Sequence, residues 1–258
     1  MKLKYKAYNI TLFCFKMFLF VFLIVFSILT TIASVSNIFM TKKVKDFINE
    51  ATFEEQVGNI RYYYIECDDI EEDSIIKENP YYGWGDYPAL GNPGDIFVMP
   101  QSRMEYFPLF APFISYMFGG HAGLVVENDK LIEAMGGTAE EGYVFLNVSD
   151  LFDEERTVIG LRVDVTEEQR AQAILNAYEK VGDEYNYLFI FNTKDKYYCI
   201  DICSRVYQEE NVDCKIDKTS FFTTIQELFH SSKTEISFVK YYHDGITYIY
   251  YLKSTKNK

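Results

Sequence analysis

KYYCIDICSRVYQE, running from Lys196 to Glu209, decides how this chain is read. From Cys199 onward, apolar residues stand at 199, 202, 203, 206 and 207. That is the i, i+3, i+4, i+7, i+8 stripe of a helix packed on a core. The spacing places Cys199 in the first helical turn, behind Tyr197 and Tyr198. Free backbone N–H groups and the helix dipole favour an anion there, so a thiol at that position tends toward thiolate. To act as a controlled nucleophile, a thiolate needs a base and a group that orients the base. The rest of the chain is searched for both.

The search is short, because the 258 residues include three histidines, His121, His230 and His243. His121 follows Gly119-Gly120 and opens the apolar run 122–126, which reads as a strand. Asn128 and Asp129 make a turn, and Leu131 to Met135 reads as the returning strand. The hairpin brings His121 and Glu133 onto neighbouring strands. Imidazole is the usual base for a thiol, and a carboxylate on its second nitrogen fixes the tautomer. Taken singly, each residue also has an ordinary reading: a buried core cysteine, a structural histidine and a strand-edge carboxylate.

Upstream, Ile10 to Met40 is almost wholly apolar, and Met17 to Met40 holds 24 residues without a charge. About 20 apolar residues cross a bilayer, whereas a secretory signal has an apolar core of about 7–15. An uncleaved anchor through residues 10–40 is therefore favoured, with cleavage near Ala33 and Ser34 as the alternative. Lys2, Lys4, Lys6 and Lys16 precede the run, and Lys42, Lys43 and Lys45 follow it. This nearly even balance gives the cytoplasmic side to the N-terminus by a narrow margin and puts the globular part outside. Three segments are expected: 1–45 as anchor or signal, 46–90 as an acidic lead-in, and 91–258 as the main domain.

The net charge of -13 disfavours nucleic acid and anionic lipid surfaces as electrostatic partners. Five cysteines show neither CxxC pairs nor the spacing of a disulfide scaffold. Export would permit a Cys203–Cys214 or Cys67–Cys214 bridge, and nothing selects between them. The segment Tyr81 to Gly85 and the aromatic stretch 101–118 read as packed loops. Gly94-Asp95 opens a β run at Ile96 to Val98, and strands are expected at 143–148 and 158–163. Thr166-Glu167-Glu168-Gln169 is a capping box that starts a helix ended by Gly182. Helix is expected again at 219–229, and Asp244-Gly245 marks a final hairpin. Asn147-Val148-Ser149 matches a glycosylation sequon, a pattern common by chance.

Taken together, GDIFV at 94–98, HAGLVV at 121–126, LIEAM at 131–135, Tyr185-Asn186 and YYCIDICSRVY at 197–207 resemble a known family. They are similar to the circularly permuted branch of NlpC-type cysteine hydrolases. That branch includes the YiiX/YebB-like proteins and the lecithin retinol acyltransferase relatives, and the resemblance covers about residues 91–210. It implies an α+β, circularly permuted papain-like fold, with an antiparallel sheet packed on the nucleophile helix. It also implies a Cys199 nucleophile, a His121 base, a Glu133 orienting residue and a thioester intermediate, with no cofactor or metal. Tyr185 and Tyr198 are expected near the substrate pocket. Ile200 departs from the family's small hydroxyl residue, and Asn186 from its aspartate. The substrate is left as a peptide amide or a lipid acyl group. The competing readings are a zinc site of His121, Cys199, Cys203 and Cys214, and a membrane-tethered binding domain without turnover.

Overall fold

The first helix does not stop where the apolar run stops. In the computed structural model, which describes residues 2–78, 88–100, 120–128, 130–136, 142–148, 155–189, 193–217 and 222–256, it runs unbroken from Lys2 to Glu50 (α1). Its residues are exposed all round from Ile10 to Leu29, and one stripe is turned inward from Ala33 onward. One helix is thus long and apolar enough to cross a membrane. The Tyr81–Gly85 segment and the 101–118 stretch lie outside the described residues.

After α1 come β1 (Thr52–Val57), β2 (Ile60–Cys67), β3 (Ile75–Ile76), β4 (Ala89–Leu90) and β5 (Ile96–Met99). The hairpin read from the sequence is β6 (His121–Glu127) and β7 (Lys130–Met135), followed by β8 (Tyr143–Val148) and β9 (Val158–Val163). Next are α2 (Glu167–Glu179), β10 (Glu184–Tyr185), β11 (Lys196–Tyr197), α3 (Cys199–Gln208), α4 (Ile225–His230), β12 (Thr234–His243) and β13 (Ile246–Ser254). The helix expected at 219–229 is thus the shorter α4, because Thr224 caps it through Glu227 in a box of its own.

Among the described residues, eleven strands form one sheet in the order β1-β2-β13-β12-β9-β5-β6-β7-β8-β10-β11. Pairing is antiparallel except for β13 with β2 and β10 with β11. This mixed sheet with helices packed on it is the α+β, permuted papain-like arrangement expected from the sequence. Alternation along β5 splits the apolar residues between two clusters. Ile96 and Val98 join α2, α3, α4 and the end of α1, while Phe97 and Met99 join Leu131, Phe238 and Tyr251.

The Gly94-Asp95 pair ties these parts together. Asp95 is fully buried, and its Oδ2 accepts from the Asn92 N–H at 3.1 Å and the Ser237 hydroxyl at 3.0 Å. Arg162 on β9 and Arg170 on α2 each stand 3.7 Å from its Oδ1. Burial pushes its carboxyl up, against the pull of both guanidinium groups. Gly94 has φ +91°, and a Cβ there would overlap the Arg170 side chain, so only glycine fits. Its carbonyl accepts from the Tyr207 hydroxyl at 2.5 Å, which joins α3 to the same corner.

Asp95→Ala would leave two largely buried guanidinium groups without their carboxylate. The expected loss is about 3–5 kcal/mol of stability, seen as a lower unfolding midpoint in detergent. An unchanged midpoint would show that the corner does not hold the sheet to α2.

Candidate active site

The site is built from three local structures. Cys199 is the first residue of α3, and Tyr198 before it is the N-cap, extended at φ −107° and ψ 169°. The cap makes no side-chain hydrogen bond to the helix, so no side chain competes for the first-turn N–H groups. The Tyr198 hydroxyl is used elsewhere: it donates to Thr223 O at 3.1 Å and accepts from Thr223 N–H. This fixes the residue beside Cys199.

The β6–β7 hairpin supplies the next two groups. Its register pairs Leu124 with Ile132, which makes His121 and Glu133 diagonal neighbours, within reach of long side chains. His121 Nε2 lies 2.5 Å from Glu133 Oε2. The Cys199 thiol lies near enough to the same imidazole to act on its titration. Gly123 has a part in this, because a Cβ there would run into the Phe97 ring, which meets the His121 ring edge-on at 6.3 Å.

Beyond these three is a residue the sequence reading missed as a site member. Asn147 on β8 donates from Nδ2 to Glu133 Oε1 at 2.7 Å. Its amide is engaged in the site rather than offered as the sequon suggested. The signal for it was the strand alternation: Leu131 faces Asn147 and Glu133 faces Phe145, so Asn147 is diagonal to Glu133.

Tyr185, expected near a pocket, lies closer to the chemistry than that. It is buried, and its phenol lies close enough to Cys199 to be shifted by it. Asn186 shapes the following loop: its Oδ1 accepts from Leu188 N–H at 3.1 Å, while its own N–H donates to Tyr197 O at 2.9 Å. Asn186 thus makes an acceptor contact that an aspartate could also make.

The electrostatics follow from this packing. Burial pulls the His121 imidazole down, but its bonds to Cys199 and Glu133, with their charges, outweigh burial and lift it to about 10. Burial pushes Glu133 up, and its bonds to His121 and Asn147 more than offset that, holding it below the usual carboxylate range. Burial raises the Tyr185 phenol, and Cys199 adds to the effect.

The other sequence candidates fall elsewhere. Cys203 is fully buried, its thiol donates to Cys199 O at 3.4 Å, and burial raises it well above the ordinary thiol value. Asp201 is buried too; burial lifts its carboxyl to about 6 despite Arg205, whose Nη1 sits 3.2 Å away. Ile200 packs in the core. All five cysteines are free thiols. Among the described residues, no group of three or more His, Cys, Asp or Glu is placed to hold a metal. A cleft of about 1060 Å³ lined by Ile70, Asn92, Arg162, Arg170 and Lys233 includes none of Cys199, His121, Glu133 or Tyr185.

A cysteine on a helix start, a strand histidine before it in sequence and a carboxylate on the next strand define a papain-like site in permuted order. A family model described as the permuted papain-like amidase enzyme, YaeF/YiiX, C92 family, matches residues 91–252, and the chain belongs to that family. Its membership makes it an amidase-type cysteine enzyme by class. A crystal structure of the metalloprotein yiiX from Escherichia coli O157:H7 is similar at 15% identity and a TM-score of 0.41, over 56% of this chain and 95% of that one. No curated protein is matched by the sequence.

The raised imidazole sets a pH dependence. Its folded value of about 10 lies above the unfolded value of about 6.5, so its contribution to stability is whole below about pH 6.5 and lost as pH rises through about 10. The His121 ring signals in an NMR titration in micelles are expected to turn over near pH 10. In Glu133→Gln the turnover moves to lower pH. A midpoint near 6.5 in both forms would mean that the imidazole has neither partner.

Proposed function

We propose that the protein is a cysteine hydrolase in which Cys199 is the nucleophile, His121 the acid–base and Glu133 the residue that orients His121. The observation that carries this reading is one imidazole held at 2.5 Å by Glu133 and close enough to the Cys199 thiol to be raised by it. Asn147 holds the free oxygen of Glu133, so the carboxylate keeps one orientation.

The chemistry runs in two halves. With the proton on His121, the Cys199 sulfur attacks the carbonyl carbon of an amide or ester, and the C=O electron pair moves onto oxygen. The Cys199 N–H at the start of α3 and the Tyr185 hydroxyl are the donors for that oxyanion. His121 gives its proton to the leaving nitrogen or oxygen, the C–N or C–O bond breaks, and a thioester remains. Water then loses a proton to His121 and attacks the thioester. The C–S bond breaks, the acid departs and the starting pair is restored. A second alcohol or amine in place of water makes the same step a transfer.

The apolar half of α1 is read as an uncleaved single-pass anchor, with the N-terminus in the cytoplasm and the domain on the outer face of a bacterial membrane. Continuous helix through Ala33 and Ser34 into the domain supports anchor over cleaved signal.

The test is alkylation by an acyl chloromethyl ketone, followed by intact mass. Wild type and Cys203→Ala are expected to gain one adduct at Cys199, and Cys199→Ala none there. Glu133→Gln should slow the reaction by about 100- to 10,000-fold. No adduct at Cys199 in the wild type would favour a binding domain without turnover, and equal labelling of both cysteine variants would end the assignment.

A further inference from the structure

We infer that the substrate of this site is the acyl group of a membrane lipid, presented from the bilayer surface rather than from solution. The inference rests on the Cys199 reading above and adds the substrate class.

The first observation concerns where the bilayer ends. The charge-free stretch Met17–Met40 is 24 residues, about 36 Å of helix, against a hydrocarbon core of about 30 Å. With charges at Lys16 and Lys42, the domain-side boundary falls between about residues 36 and 40. Contact between α1 and the domain begins at the same level. Ala33 is buried, Asn37 Oδ1 accepts from Gln226 Nε2 at 2.9 Å, and Phe39 stacks on His230 at 4.5 Å. Further along, Lys43 Nζ donates to Phe229 O at 2.7 Å, and Met40, Val44, Phe47 and Ile48 pack against the helix-side core. The anchor is therefore not a tether with a loose joint. One continuous helix fixes α4 at headgroup height.

The second observation is the route from α4 to the sulfur. Thr223, just before α4, holds the Tyr198 hydroxyl by its backbone, and Tyr198 precedes Cys199. The reacting atom is thus about the length of one tyrosine from an element seated on the membrane-proximal part of α1.

The third observation is an exposed apolar rim that continues from this point. The Phe189 ring meets Tyr198 at 5.8 Å and Tyr185 at 5.9 Å, both edge-on. Beside it Leu188 is 68% exposed, and Tyr187, Tyr143 and Met135 are exposed as well. Phe189 keeps a left-handed φ of 56°, a strained conformation for a large side chain. Apolar side chains grouped in this way mark an interaction surface. Buried Tyr198 joins the two halves from beneath, with its ring under Phe189 and its hydroxyl on the segment leading to α4. An acyl chain leaving the bilayer beside α4 meets apolar side chains up to the sulfur.

The experiment uses the full chain in phosphatidylcholine vesicles and two chloromethyl ketones. One carries a palmitoyl chain and resides in the bilayer; the other carries an acetyl group and is soluble. Eight leucines are inserted between Ile32 and Ala33 to restore a charge-free span of 24 residues from Met17, and one, two or three Glu-Ala-Ala-Ala-Lys blocks follow them, so that three blocks lift the domain by about 22 Å on a semi-rigid stalk. The palmitoyl reaction at Cys199 is expected to fall with each block and to lose about tenfold or more at three. The acetyl rate should stay constant, which also shows that the domain is folded. A palmitoyl rate independent of stalk length, with Cys199 still reactive, would overturn the inference and leave the hydrolase reading standing, with a soluble peptide amide as substrate. Failure of both reagents at Cys199 in the unmodified chain would remove the hydrolase reading and this inference with it.

Discussion

One carboxylate without solvent contact, Asp95, is the constraint on which the architecture depends. Taking it out of water is costly, and the cost is offset only because Asn92, Ser237, Arg162 and Arg170 converge on it from four separate segments. Those segments are the turn into β5, strand β12, strand β9 and helix α2. The adjoining Gly94 carbonyl adds α3 through Tyr207. A corner in which Asn92, Ser237 and two guanidinium groups surround one buried carboxyl has few alternative arrangements, so the position of α3 over the hairpin is set from its far end.

From that corner the site follows with little freedom. Helix α3 delivers Cys199 at its first turn, and the β6–β7 register brings His121 and Glu133 within a single hydrogen bond of each other. Each of these residues, or its neighbour, is held by a further side chain or backbone group. Tyr198 is held by Thr223, Glu133 by Asn147, and the His121 ring by Phe97 against Gly123. This outer layer fixes rotamers, and a catalytic geometry needs fixed rotamers more than it needs strong individual bonds.

Much of this was legible in the sequence, because local patterns carry it. The α3 stripe, the capping box at Thr166, the β6–β7 hairpin and the Asp244-Gly245 hairpin each arise from neighbours in the chain, and the structure has all of them. The His121–Glu133 contact was foreseeable once a hairpin was granted, whereas the roles of these residues and of Cys199 came from the family resemblance. Asn147 was not, because its role depends on the register between β7 and β8, which no short window contains. Tyr185 read only as a pocket residue, since β10 is two residues long and its place beside Cys199 is set by pairing with β8 and β11. The docking of α1 was hidden as well: an apolar run long enough to cross a bilayer gives no sign that its end is shared with a core.

The parallel pairing of β2 with β13 carries a consequence for how the chain is made. Ile60 is matched to Thr247 and Cys67 to Ser254, so β2, which has β1 on one edge, meets its other neighbour only after all the strands between them have been made. Until β13 emerges, β2 offers an open row of amides and carbonyls on that edge, a surface prone to mispairing. Closure of the sheet is a late, non-local event, because it joins a strand just after α1 to one that follows every other strand of the sheet in sequence.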